Sequence, residues 1–106
     1  MDSALILPPA DQLAALCHRW KIRELRVFGS VARGEARPDS DIDLMVDYQP
    51  DADWSLFDTV QLRDELAQLF GRPVDLVRER NVTNPYRVAS IRRDLRTIYV
   101  ASDHAA

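Results

Sequence analysis

Cysteine is almost absent from this sequence, in which Cys17 is the only one among 106 residues. A single cysteine cannot form an internal disulfide, so a reducing compartment is its simplest setting. The two histidines, His18 and His104, are too few and too distant to complete a structural zinc site with it. We expect Cys17 to pack in the core beside Leu16 and Trp20, and His18 to lie on the surface.

Long apolar runs and a strong net charge are missing as well. The apolar stretch Leu5 to Leu7 ends at Pro8-Pro9 and is too short for a signal peptide or a membrane span. With 14 basic and 17 acidic residues the formal net charge is −3, which does not suggest affinity of the whole chain for nucleic acid. We expect one domain over residues 1–106, in the cytoplasm, with no membrane or direct nucleic-acid contact.

The charges are unevenly spread along the chain. Seven aspartates and no basic residue lie between Asp39 and Asp58, whereas seven arginines and three acidic residues lie between Arg72 and Arg96. The first region repels anions unless a cation is bound, and the second attracts them. This asymmetry favours a metal or phosphate site, although a solvated surface with charged patches, or arginines that bind a partner, would give the same pattern.

Hydrophobic spacing predicts an α+β fold in the order helix, strand, strand, helix, strand, helix, strand. The loop between the first two strands is too short for a crossover helix. We therefore expect these strands to be antiparallel neighbours in a small mixed sheet of about four strands packed against helices. The expected helices cover residues 9–20, 55–70 and the segment after Asn84-Pro85, with one further turn at 31–33. The expected strands lie at 25–28, 41–46, 74–77 and 97–100.

Three carboxylates stand out for their chemistry. On a strand, Asp41 and Asp43 point to the same side, where a hard cation such as Mg²⁺ relieves their repulsion and is typically shared with substrate phosphates. Asp75 lies in an apolar run, and it completes a triad if its strand neighbours theirs, where it would share the metal and take a proton from an attacking hydroxyl. Alternatively, Asp41 and Asp43 lie on the solvated face of an edge strand, and Asp75 forms an ion pair with Arg72 or Arg78.

Gly29 and Ser30 end the first predicted strand. Glycine lets the backbone approach a ligand closely, and a helical turn after it would present N–H groups and the Ser30 hydroxyl to a phosphate. Arg33 would add a charged hydrogen-bonding fork one turn later. An ordinary strand-end turn and a surface salt bridge are the simpler interpretations of these residues.

Aromatic residues flank the strand that carries the acidic pair. Tyr48, Trp54 and Phe57 would either stack on a nucleobase or pack in the core, and core packing is the simpler expectation.

The motif Gly29-Ser30, ten residues, Asp41-Ile42-Asp43, within FGSVARGEARPDSDIDLMV, resembles the signature of the DNA polymerase β-like nucleotidyltransferase superfamily. It is most similar to the minimal nucleotidyltransferase (MNT) group, as are PVDLV around Asp75 and the closing NPYRVASIRRDLRTIYV. The resemblance implies the nucleotidyltransferase fold, with Gly29 and Ser30 on a nucleoside triphosphate, Asp41 and Asp43 on Mg²⁺, and Asp75 as the third carboxylate.

The resemblance also implies an activity and a partner. MNT proteins act as antitoxins beside HEPN-domain toxins, so we expect Mg²⁺-dependent transfer of AMP from ATP, with two metal ions, to a tyrosine hydroxyl of such a toxin. The setting would be a type VII-like toxin–antitoxin system, and the two proteins would form a hetero-oligomer. Two alternatives stay open: neutralisation by binding alone with a vestigial site, and transfer to a small molecule such as an aminoglycoside.

Overall fold

The computed structural model describes residues 7–29, 41–78 and 81–101. Within these ranges the expected α+β fold is confirmed, with three helices and a four-stranded mixed sheet. The helices are α1 (Ala10–Arg19), α2 (Leu56–Phe70) and α3 (Pro85–Asp94), and the strands are β1 (Ile22–Phe28), β2 (Ile42–Tyr48), β3 (Val74–Arg78) and β4 (Arg96–Val100). The order matches the prediction, and the largest shift is the start of β1, three residues earlier than expected. The turn predicted at 31–33 lies outside the described residues.

Local sequence signals explain where the helices begin and end. Ser55 caps α2 in a reciprocal box: its hydroxyl accepts from the Asp58 N–H at 3.1 Å, and Asp58 Oδ2 accepts from the Ser55 N–H at 2.9 Å. Gly71 ends the same helix with a φ of +73° and donates its N–H to the Ala67 carbonyl at 2.8 Å. The side-chain oxygen of Asn84 caps α3: it accepts hydrogen bonds from the N–H groups of Tyr86 at 2.9 Å and Arg87 at 3.2 Å. None of the helices in the described ranges has both the length and the apolar composition of a bilayer crossing.

The sheet has the strand order β3-β2-β1-β4. β1 pairs antiparallel with β2, as the short connection predicted, and also with β4. β2 and β3 are parallel neighbours, and α2 forms the crossover between them. The strand that carries Asp43 is therefore interior to the sheet, which excludes the edge-strand interpretation for that residue.

The two faces of the sheet are covered differently. α1 and α2 pack on one face and form the larger core, whose fully buried members include Cys17, Leu25, Leu44, Leu62 and Leu66. On the other face, a smaller cluster joins Phe28, Met45 and Ile91 beneath α3. The second face is thus apolar under α3 and polar beyond it.

The expectations for the two α1 residues are confirmed. Cys17 is fully buried, and this burial raises the pKa of its thiol to about 12. His18, the next residue of the helix, is exposed.

The aromatic residues after the acidic pair have separate environments. Tyr48 is buried, and Trp54 packs edge-on against Trp20 at 4.9 Å between ring centroids while donating its indole N–H to the Trp20 carbonyl at 2.7 Å. Phe57 is 86% exposed, so core packing was the wrong prediction for this residue. It lies at the start of α2, where only one helix face meets the core. Tyr48 is the last residue of β2, and the other two aromatic residues come after it, at the end of the strand far from Asp43. Their positions therefore do not suit stacking on a base whose phosphates are held at the carboxylates.

Leu66→Ala should lower the free energy of unfolding by about 2–5 kcal/mol, because the fully buried side chain leaves a cavity under the sheet. Val60→Ala on the same helix is the matched control: Val60 is 40% exposed, and its loss should cost much less. Urea unfolding of both variants measures the difference, and equal losses would contradict the packing described here.

Candidate active site

Asp43 and Asp75 lie side by side on neighbouring strands. β2 and β3 pair in parallel with Asp43 opposite Asp75, and the next residues follow in the same register. Neighbouring strands are separated by about 4.8 Å, and residues opposite each other project from the same face. The pairing therefore places two carboxylates together at the amino-terminal ends of two strands. Asp43 is half-buried and Asp75 is exposed to solvent.

Asp41 lies near this pair but not on the strand. It is exposed and precedes the first residue of β2, whereas the sequence pattern placed it within the strand. The N–H of Ile42 donates to the Pro73 carbonyl at 2.9 Å, which ties the chain after Asp41 to the segment that leads into β3. In the ranges 7–29, 41–78 and 81–101, no three His, Cys, Asp or Glu side chains form a group able to hold a metal ion. The arrangement is a carboxylate pair with a third carboxylate close by in the chain.

Gly29 brings the backbone directly over the Asp43 carboxylate. Phe28, the last residue of β1, pairs with Asp43, and Gly29 follows it with a φ of +80°. A Cβ at position 29 would overlap Oδ2 of Asp43 and approach its Cγ to 3.2 Å. Both the backbone angle and the close contact therefore require glycine here. Ser30 and Arg33, the other two predicted phosphate ligands, lie outside the described residues.

Asp75 is not held by a neighbouring arginine. In the described part of the chain, neither Arg72 nor Arg78 forms an ion pair with Asp75. The alternative that Asp75 serves only as the partner of one of these arginines therefore has no support in these residues. The Arg78 guanidinium instead lies 5.0 Å from the centroid of the Tyr48 ring, in a cation–π contact at the opposite end of the sheet. Asp75 therefore presents its carboxylate to solvent beside Asp43.

A cavity opens on the same face of the sheet as the carboxylates. Its volume is about 380 Å³, and β1, β2 and α3 contribute to its walls. Met45 lines it two residues after Asp43, on the same side of β2. Sequence reasoning did not predict this cavity. One sequence signal pointed to this face of the sheet. Glu24 and Arg26 alternate with buried residues in β1, which places charged groups on the face that α3 only partly covers.

Comparison with known proteins identifies the family. The family model described as "Nucleotidyltransferase domain" matches residues 10–98, a span that includes the glycine bend and all three aspartates. The chain belongs to the nucleotidyltransferase domain family. The domain is thus a nucleotidyltransferase, in agreement with the motif resemblance.

Two curated relatives place this nucleotidyltransferase among the protein adenylyltransferases. MJ1379 of Methanocaldococcus jannaschii, named as a candidate protein adenylyltransferase, is 38% identical over 82 residues, covering 77% of this chain and 80% of that protein. Protein adenylyltransferase MntA of Thermococcus cleftensis is 45% identical over 62 residues, covering 58% of this chain and 61% of that protein. The chain belongs to the family that contains these adenylyltransferases.

Solved structures support the fold. The structure of a candidate minimal nucleotidyltransferase is 39% identical, with a TM-score of 0.65, and the match covers 82% of this chain and 86% of that one. A toxin–antitoxin complex with AMP-PNP matches at 20% identity and a TM-score of 0.68, covering 89% of this chain and 75% of that one. The complex of a tri-AMPylated Shewanella oneidensis HEPN toxin with MNT antitoxin matches at 17% identity and a TM-score of 0.60. This match covers 91% of this chain and 73% of that one. The last two show the same fold.

Nucleotidyltransferases use a nucleoside triphosphate and a divalent metal, and the donor set here fits a shared metal site. Mg²⁺ prefers oxygen ligands and is usually held by one or two carboxylates, with phosphate oxygens and water completing the shell. Asp43 and Asp75 supply such a pair, and the glycine at position 29 lets the backbone pack against Asp43 without displacing its carboxylate. The described residues do not fit an ion enclosed by protein ligands alone, because no group of three is present among them.

Gly29→Ala should reduce nucleotidyl transfer by about tenfold or more, because the added Cβ must displace the Asp43 carboxylate. Gly71→Ala is the matched control. Its φ of +73° imposes a similar backbone strain of about 1–2 kcal/mol, but no atom lies within 4 Å of the added Cβ. Steady-state transfer rates and thermal unfolding of both variants test this. Equal loss of activity in the two would mean that strain, not the contact with Asp43, is responsible.

Proposed function

We propose that this nucleotidyltransferase transfers AMP from ATP, with Mg²⁺, to a tyrosine hydroxyl of a cognate HEPN toxin, and thereby acts as the antitoxin of the pair. The observation that carries the proposal is the in-register pair of Asp43 and Asp75 beside the Gly29 bend. The relatives named as protein adenylyltransferases support AMP as the transferred group. The similar fold in a toxin–antitoxin complex with AMP-PNP supports ATP as the donor.

Each carboxylate has a separate role in the proposed reaction. Asp41 and Asp43 would hold Mg²⁺, which neutralises phosphate charge and polarises the α-phosphate when bound. Asp75 accepts the proton of the acceptor hydroxyl as its oxygen attacks the α-phosphorus. The new O–P bond forms while the bond from the α-phosphorus to the bridging oxygen breaks, and pyrophosphate leaves. Positioning and charge neutralisation supply most of the rate enhancement in reactions of this kind.

Gly29, Ser30 and Arg33 are proposed to bind the β- and γ-phosphates. Gly29 permits close approach of a ligand to the backbone, and its position above Asp43 suits a polyphosphate that bridges the two. A Ser30 hydroxyl and an Arg33 guanidinium are suitable donors to phosphate oxygens.

The acceptor is proposed to be a protein rather than a small molecule. The HEPN toxin in the S. oneidensis complex is AMPylated and bound to an MNT antitoxin of the same fold as this chain. A small acceptor such as an aminoglycoside would need its own binding surface. In the described ranges, the cavity beside the carboxylates has mostly apolar walls with two arginines, which do not suit a polycation.

Incubation of the chain with its co-purifying partner, ATP and Mg²⁺ should add one or more AMP units to the partner, as measured by intact mass. Asp41→Asn and Asp43→Asn should each reduce this transfer by roughly 100-fold or more, because a negative charge that holds Mg²⁺ is lost. Their stability should be unchanged or slightly higher, because repulsion between carboxylates is relieved. Asp47→Asn is the control, since Asp47 lies on the same strand near its other end and pairs with Arg23.

Full activity of Asp41→Asn or of Asp43→Asn would contradict the proposed role of these two carboxylates in binding Mg²⁺. The absence of any AMP addition by the wild-type chain, with complex formation intact, would support the alternative that neutralisation occurs by binding alone.

Asp75→Asn should lower kcat by roughly 10²–10⁴-fold while leaving the affinity for ATP nearly unchanged, because the variant lacks a general base but keeps the phosphate ligands. Single-turnover rates and nucleotide titrations separate the two effects. An equal loss of rate and affinity would mean that Asp75 acts mainly as a metal ligand or a structural group and not as the base.

A further inference from the structure

We propose that a second cavity, on the opposite face of the sheet from Asp43 and Asp75, binds a carboxylate group through Arg78 and Tyr48. Its volume is about 310 Å³, which lies within the range of roughly 300–1,000 Å³ that is typical of small-molecule sites. Its walls are mostly polar and come from the ends of β2 and β3, the loop after β2 and the first turn of α2. Binding there is separate from AMP transfer and does not depend on the proposed function.

The cavity is distant from the candidate active site and faces the other way. Tyr48 ends β2, five residues after Asp43, a separation of about 17 Å along the strand. Arg78 ends β3 and pairs with Val46, which belongs to the core under α1 and α2. Because side chains alternate between the two faces of a strand, Arg78 points to the face opposite that of Asp75. A ligand in this cavity therefore does not occupy the carboxylate site.

The Arg78 guanidinium has unused hydrogen-bond donors. It is half-buried and lies 5.0 Å from the centroid of the Tyr48 ring, and within the described residues it forms no ion pair and no hydrogen bond. A guanidinium presents five N–H groups in a planar fork that matches the two oxygens of a carboxylate. The contact with the ring restrains this fork before a ligand arrives, which lowers the entropy that binding costs.

The Tyr48 hydroxyl is the second donor. Tyr48 lines the cavity and is 9% exposed, and among the described residues its buried hydroxyl has no hydrogen-bond partner. The neighbouring Thr59 hydroxyl donates to the Ser55 carbonyl at 3.1 Å instead. Burial raises the pKa of Tyr48, so the hydroxyl stays protonated at neutral pH and is available to donate. A buried polar group without a partner is costly, and a ligand oxygen would remove this cost.

Asp53 limits the charge of the ligand. It lines the same cavity, and in the ranges that the structure describes its carboxylate forms no ion pair, with Arg78 or with any other cation. One cation and one anion leave these walls without net charge, so a doubly charged phosphate would be repelled by Asp53 more strongly than a singly charged carboxylate. The ligand that supplies acceptors to both donors at the smallest electrostatic cost is a carboxylate.

Titration with acetate, and with acetamide as its uncharged match, tests the assignment in nuclear magnetic resonance spectra. The indole N–H signal of Trp54, which lines the cavity, should shift saturably with acetate. Acetamide and inorganic phosphate should each bind about tenfold more weakly or worse, because the first lacks the charge and the second has too much of it.

Four variants assign the binding to individual residues. Arg78→Gln should weaken acetate binding about tenfold or more, and Tyr48→Phe about threefold to tenfold. Tyr48→Phe should not lower the thermal unfolding temperature, because its hydroxyl has no partner to lose. Asp53→Asn should strengthen the binding of both acetate and phosphate. Arg93→Gln is the matched control: it removes an exposed arginine of α3 that does not line the cavity, and it should bind acetate like the wild type.

Two sources supply a carboxylate, a free molecule and an acidic side chain of a bound protein, and calorimetry with the co-purifying partner distinguishes them. Weaker binding of the partner to Arg78→Gln than to the wild type would assign the carboxylate to the partner. Unchanged binding of the partner, with acetate binding lost, would assign it to a free molecule.

Three results would overturn the assignment. The first is equal binding of acetate and acetamide, and the second is acetate binding that survives in Arg78→Gln. The third is that acetate shifts no signal saturably, which would leave a cavity that holds only water. The wild-type chain would still transfer AMP in each case, so these results are distinct from a failure of the proposed function.

Discussion

The parallel pairing of β2 with β3 is the constraint on which the candidate site depends. This pairing places Asp43 opposite Asp75, and a shift of one residue would send one of the two carboxylates to the other face of the sheet. The register is fixed by burial, because Leu44 must face the core under α1 and α2 while Met45 faces the cluster under α3. The packing of both faces therefore determines the position of the carboxylates.

The second face of the sheet is divided along its length. α3 packs over the part that contains Met45, whereas Asp75, beside Asp43 at the amino-terminal ends of β3 and β2, is exposed. Gly29 then brings the end of β1 over Asp43, which no residue with a Cβ could do without moving the carboxylate. Two adjacent carboxylates beside this glycine are an arrangement suited to a divalent cation that is shared with phosphate oxygens.

Much of this arrangement is predictable from local sequence patterns. The positions of the helices and strands were predicted from the alternation of apolar residues in β2, the glycine after α2 and the Asn84 cap. The short connection between the first two strands predicted that they pair antiparallel. The resemblance of the Gly-Ser and Asp-x-Asp motif to the nucleotidyltransferase signature predicted the candidate site. The patterns did not specify that β3 pairs with β2, or that Phe57 stays exposed, because both depend on tertiary packing. Asp41 was expected within the strand, but pairing begins at Ile42, whose N–H bonds to Pro73. The cavity also escaped prediction because it forms between residues that are distant in sequence.

The central claim is that Asp43 and Asp75 lie together at one site, beside the metal ion and the donor nucleotide. Its most direct test is paramagnetic broadening in nuclear magnetic resonance spectra, with Mn²⁺ replacing Mg²⁺ in the presence of AMP-PNP. The account predicts that the amide signals of Asp43, Asp75 and Gly29 broaden first, while those of Tyr48 and Arg78 at the opposite end of the sheet stay sharp. Broadening centred on any other part of the chain, with these three signals unaffected, would contradict it.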